Sequence, residues 1–225
     1  MPGWLGWIVI AALLAGTPAG AEPLECPDPR FEVLSDDDAL AQKVCAFARE
    51  SAEKLAACNV PISEKRRVRI EVVTEMPEKC LGLYYCGEDK IEIPLPEVMQ
   101  SMRLSDSSLS HVSPEAFFRS IIVHELAHAA FDEVPCPFGS CITASEYVAY
   151  NMQVMSLPEA DITIFETGLD KSKKISRDFL NPVILFMAPD TFMTWAWIHL
   201  NQRPDACAYI DDVMEGRVRL DYERP

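Results

Sequence analysis

The first 21 residues contain no Lys, Arg, Asp or Glu. That gap in charge, the apolar run from Trp4 to Leu14 and the small residues Ala19-Gly20-Ala21 together predict a signal peptide over residues 1–21. The apolar run is short for a bilayer crossing, so no stable membrane span is expected once the leader is removed. No CxxC pair occurs among the eight cysteines, which argues against a thiolate zinc site. Repeats, low-complexity tracts and linkers are missing too, and residues 22–225 read as a single domain. Basic residues are outnumbered: 20 Lys and Arg stand against 35 Asp and Glu, for a formal charge of −15. A chain so acidic is a poor partner for nucleic acid. Histidine is scarce, with four in 225 residues, and its placement is correspondingly informative.

All eight cysteines follow the leader, an even number expected to form disulfides in an exported, periplasmic or secreted protein. Cys80 and Cys86 bracket one short loop and Cys136 and Cys141 another, so each pair is expected as a local bridge. Cys45 and Cys58 fall on one predicted helix, where thirteen residues of separation mean about 20 Å of rise. Their partners should therefore be Cys26 and Cys207.

Ser35 followed by Asp38, then Leu40, Val44, Phe47, Ser51 and Leu55 at helical spacing, predicts a helix over 36–57. Alternating residues at 67–74 and the stretches 81–85 and 90–93, the last two flanking a Cys86-Gly87-Glu88-Asp89 turn, predict three antiparallel strands. Ser113-Pro114-Glu115 opens an apolar helix over 114–131. Residues 143–155 are helical, and the remainder to about residue 216 reads as further helices divided at Pro182, Pro189 and Pro204. Leu180 to Leu200 is apolar, but Pro182, Pro189 and Asp190 interrupt it, so two core-facing helices fit better than a membrane span. The pattern is α+β.

The helix over 114–131 carries His124-Glu125-Leu126-Ala127-His128. On a helix the two histidines lie one turn apart, offset by about 40° and about 6 Å in rise, so their imidazoles can converge on a metal. Glu125 lies off that line, where it could take a proton from a water whose pKa zinc brings towards about 7. Two histidines do not close the site. Asp132 continues the four-residue step but lies about 12 Å along the axis from His124, out of reach. Glu146 is the best third ligand, because a short loop would fold its helix back against the first; Asp161 and Glu166 are reserves. A second reading of Glu146 makes it part of a capping box, Thr143-Ala144-Ser145-Glu146.

HELAH followed by a helical glutamate at this separation resembles the gluzincins, the thermolysin-like group of zinc metallopeptidases. The resemblance covers about residues 36–156 and rests on His124, Glu125, His128 and Glu146. A third histidine soon after the second, the metzincin pattern, is absent. The gluzincin resemblance implies a zincin-like fold: an N-terminal helix, a small antiparallel sheet with an edge strand over the active-site helix, and a helical C-terminal half. It implies Zn2+ as cofactor, a peptide or protein substrate, and hydrolysis by a metal-activated water. It also implies a substrate-aligning edge strand, for which Ile91-Glu92-Ile93 is the candidate, and an oxyanion donor, for which Tyr150 and His199 are the candidates. His199 also reads as a packed core histidine, and His111 as a loop residue. Many gluzincins carry an aspartate where this chain has Tyr150, one turn after the ligand glutamate. The alternative function is a catalytically inactive module of zincin fold that binds zinc or another protein.

Overall fold

A computed structural model describes residues 22–77 and 80–221; the predicted leader at 1–21 lies outside them. The chain runs β1 (Leu24–Glu25), β2 (Phe31–Leu34), α1 (Asp38–Ala57), β3 (Val68–Val73), β4 (Leu83–Tyr85), β5 (Lys90–Pro94), α2 (Pro96–Met102), α3 (Pro114–Phe131) and α4 (Ile142–Met155). It continues through α5 (Glu159–Thr167), a 3-10 turn at Arg177–Phe179, α6 (Pro182–Met187), α7 (Pro189–Asn201) and α8 (Ala206–Met214). A small sheet in the first half and helices in the second make the α+β class.

The sheet departs from the predicted antiparallel meander. Its order is β1-β2-β3-β5-β4, with β2, β3 and β5 parallel and only β1 and β4 antiparallel to their neighbours. The predicted turn does close a β4–β5 hairpin, with Gly87 at φ 77° and Asp89 at φ 51° in the left-handed region. That hairpin turns β5 inward, where its far side takes β3 in parallel. The α1 crossover likewise brings β3 beside β2 in parallel. The edges are therefore β1 and, on the side of β5, β4; Ile91-Glu92-Ile93 is an interior strand with Ile91 and Ile93 buried.

Helix α1 starts two residues later than the Ser35 signature suggests. Asp37 is its N-cap, accepting from the N–H groups of Ala39 and Leu40, while Ser35 accepts from Asp37 N–H. Its buried face, including Val44, Phe47, Ala48 and Leu55, lies against β2 and α3. Helix α3 begins as predicted, with Ser113 capping and Pro114 in the first turn. Fourteen of its 18 residues are buried, because α1, α2, α4 and the sheet surround it. Its polar side chains therefore lie in a low-dielectric setting. Its most extensive contact is with α4.

Three disulfides form: Cys26–Cys45, Cys58–Cys207 and Cys136–Cys141. They answer the expected partners of Cys45 and Cys58 and the second local bridge. The first local bridge does not form, and Cys80 and Cys86 are both free thiols. The residues between them include β4, whose extended backbone climbs about 3.3 Å per residue and so separates the two thiols.

Candidate metal centre

His124 and His128 face α4 from one side of α3, and their Nε2 atoms are 3.1 Å apart. Glu146, in the second turn of α4, stands 3.4 Å from Nε2 of His124 and 3.6 Å from Nε2 of His128. The three ligand atoms lie within 4.8 Å of one another. Glu146 is not a capping residue. Cys141 occupies the N-cap position of α4, and the first N–H groups of the helix, those of Thr143 and Ala144, donate to the Asp221 carboxylate at 2.9 Å each.

The outer nitrogens of both imidazoles are already engaged. Nδ1 of His128 lies 2.8 Å from Ser145 Oγ, and Nδ1 of His124 lies 3.1 Å from Gln153 Oε1. The tautomer of His124 follows from its neighbours. Ser120 Oγ spends its only proton on the Phe117 carbonyl at 2.7 Å, so it must accept from Gln153 Nε2 at 3.3 Å. The amide oxygen of Gln153 then faces His124 and requires Nδ1–H there. In the neutral ring, Nε2 of His124 turns a lone pair towards the Glu146 carboxylate and His128. Electron pairs converging in a buried space need a cation between them, and that is the sense in which these residues fit a metal.

Charge preferences reflect the same crowding. Burial drives His128 down to about 4. Burial also opposes the His124 cation, but Glu146, Glu125 and Gln153 outweigh it and raise its pKa. Burial resists ionisation of Glu146, and the two histidines more than compensate, so its pKa is lowered. Glu125 is pushed up to about 7, mainly by burial, with His124 opposing the rise and Glu146 adding to it. The Tyr84 main-chain N–H, donating to the carboxylate from β4, also opposes the rise. Gly82, just before β4, sits so close that an added Cβ would stand 2.5 Å from Glu125 Oε1 and 2.8 Å from its Cγ. A side chain at this position would therefore push Glu125 aside where the chain enters β4.

Tyr150 packs its ring edge-on against His124, with centroids 4.7 Å apart, and burial raises its phenol above the ordinary value. Its hydroxyl bonds to no described residue. His199 is elsewhere in the core: its Nδ1 meets the Tyr147 hydroxyl at 2.9 Å, its ring packs on Tyr209, and burial drives its pKa down to about 4. The structure does not bring it to the Nε2 atoms of His124 and His128. Among the reserves, Glu166 is bound to Trp197 and Lys171, and Asp161 offers its main-chain carbonyl to His111. Asp132, the C-cap of α3 one turn beyond His128, is held by Arg66, Tyr84 and Gly87 N–H and is not part of the metal-ligand group. Two surface cavities, beside the Cys136–Cys141 loop and between β1 and α1, are lined by none of His124, Glu125, His128 and Glu146.

A family model matches residues 31–223. The chain belongs to a family of unknown function, DUF6639. The match spans every residue of the cluster and each of its hydrogen-bond partners. No curated protein and no solved structure matches the chain.

Gln153, Ser145, Ser120 and Gly82 were not singled out by the motif. Gln153 follows Glu146 by seven residues, two helical turns on the same face, a spacing that points to it. Gly82 is an isolated glycine in a strand pattern, which marks close backbone approach.

Proposed function

We propose that this protein is a zinc-dependent hydrolase of peptide or related amide bonds, exported from the cytoplasm and built on a zincin-like version of its α+β fold. One observation carries the reading: Glu146 lies 3.4 and 3.6 Å from the paired Nε2 atoms, with Glu125 buried beside them. Two imidazoles and one carboxylate are a donor set suited to zinc, with a position left open. Zinc held by His124, His128 and Glu146 supplies Lewis acidity and makes a water acidic near neutral pH.

The chain's own groups supply the rest. Glu125, off the line of the ligands and held by no side-chain partner, accepts the proton of the attacking water and returns it to the leaving amine. Gly82 leaves it room to do so. Tyr150 stays protonated and offers its hydroxyl to the developing oxyanion. Gln153 and Ser145 hold the imidazoles so that Nε2, not Nδ1, faces the site. The edge strand β4, against α3, offers main-chain partners to an extended substrate. Three disulfides support export.

The test begins with metal analysis of protein never exposed to chelators, followed by hydrolysis of a peptide library. Glu125→Gln should keep zinc and lose about 10²- to 10⁴-fold in turnover. Unchanged turnover in that variant would refute the proposed base. Zinc at full occupancy with no hydrolysis by the parent chain would favour the non-catalytic module.

A further inference from the structure

Residues 171–187 contain four cations, Lys171, Lys173, Lys174 and Arg177, and one acid, Asp178, in a chain whose overall charge is −15. Lys171 pairs with Glu166, whereas Lys173, Lys174 and Arg177 form no ion pair with a described residue. The same stretch holds four of the seven large apolar side chains exposed among the described residues: Phe179 at 43 %, Val183 at 55 %, Phe186 at 71 % and Met187 at 80 %. Val183, Phe186 and Met187 follow helical spacing and share one face of α6, while Leu185 on the other side is buried and anchors the helix. The two chemistries meet. Phe179 packs edge-on to Trp195 at 5.5 Å, and Lys173 Nζ lies 4.7 Å over the Trp195 ring and 6.0 Å from that of Phe179.

We propose that this surface docks the protein on an anionic phospholipid bilayer. Phe186, Met187 and Val183 would enter the interfacial region, Trp195 and Phe179 would sit at headgroup level, and Lys173, Lys174 and Arg177 would face the phosphates. Two arguments select a bilayer over a protein partner. The apolar side chains are exposed and line neither of the two surface cavities, which suits a fluid phase that needs no matching pockets. The cations flank them with aromatic rings between, the arrangement that places charge at headgroups while apolar atoms go deeper. The acidic remainder of the molecule does not forbid this, because charges more than about 8 Å from the membrane are largely screened at physiological ionic strength. Each cation at the surface strengthens binding by a factor of about five.

The experiment is co-sedimentation of the chain from Glu22 onward, which contains every described element, with phosphatidylcholine vesicles made with or without phosphatidylglycerol. Binding should require phosphatidylglycerol, weaken with added salt, and be accompanied by quenching of tryptophan fluorescence when the lipid chains are brominated. The exposed pair Phe186→Ser with Met187→Ser, and separately Lys173→Glu with Lys174→Glu, should each lower affinity at least tenfold while leaving the thermal midpoint unchanged. Failure to bind phosphatidylglycerol vesicles, or equal binding by parent and both double variants, overturns the proposal. So does loss of self-association in the Phe186/Met187 variant without vesicle binding by the parent, which would make the patch a protein interface.

Discussion

Helix α3 supports two polar clusters, one at its middle and one at its C-terminal end, and they solve the problem of buried charge in opposite ways. At the end of the helix, Arg66 donates to Asp89, Asp132, the Tyr84 hydroxyl and the Ala129 carbonyl. Asp132 in turn accepts from Tyr84 and from Gly87 N–H. The chain supplies both signs of charge there, and the network ties the β4–β5 turn to α3. At the middle of the helix, His124 turns a lone pair towards the Glu146 carboxylate with His128 beside it, and their partners Gln153 and Ser145 are neutral. No Lys or Arg of the described residues pairs with this cluster, so the counter-charge is a proton on His124 or a bound cation. The closed network holds the fold together, whereas the open one leaves room for a cation.

The contrast can be broken from either side, and the largest effect is expected at Glu146. Glu146→Gln should leave zinc binding undetectable by calorimetric titration at concentrations that saturate the parent. The metal-free melting temperature should fall only slightly, because the carboxylate that His124 and His128 favour is replaced by a neutral amide of the same shape. Next comes Gly82→Ala, which displaces Glu125 without touching a ligand. A shift of about 1 Å in a reacting group costs on the order of 10²-fold, so kcat for peptide hydrolysis should fall by about that factor with zinc content unchanged. Arg66→Ala should do the reverse. Leaving Asp132 and Asp89 without their cation, in a partly exposed site, should cost about 2–3 kcal/mol and lower the melting temperature by about 5–10 °C, with zinc affinity intact. The smallest effect is expected for Gln153→Ala, where loss of the His124 partner should weaken zinc by about tenfold, the lower end for an outer partner of a metal-bound histidine. If Arg66→Ala removed zinc binding, or Glu146→Gln melted the fold, the two clusters would not be separable in this way.

Much of this arrangement was legible in the sequence wherever the signal is local. The Ser113-Pro114-Glu115 start, the two histidines one turn apart and the prolines that open α6 and α7 act within a few residues, and the helices follow them. Glu146 was also legible, because a short disulfide-closed loop leaves α4 little choice but to fold back on α3. The sheet was not. Parallel pairing of β2, β3 and β5 depends on crossovers that join distant segments, and the four residues of β2 carry no alternation long enough to register. That error moved the edge strand from β4 to β5, and with it the expected place of substrate. The Cys80–Cys86 bridge was inferred from proximity in sequence, which extension of β4 undoes. His199 carries the residue type an oxyanion donor needs, but its helix turns it towards Tyr147. Type is visible in a sequence; direction depends on packing.

Asp221 gives the site a history as well as a shape. The carboxylate that holds the first N–H groups of α4 comes from 78 residues downstream of Thr143, so a chain still being made contains His124, His128 and Glu146 well before it contains the anchor for the helix presenting Glu146. The Cys136–Cys141 bridge, which closes the loop just before that helix, requires an oxidising environment as well. Synthesis as far as Asp221 and oxidation both precede a fully braced α4, and the complete donor set follows them.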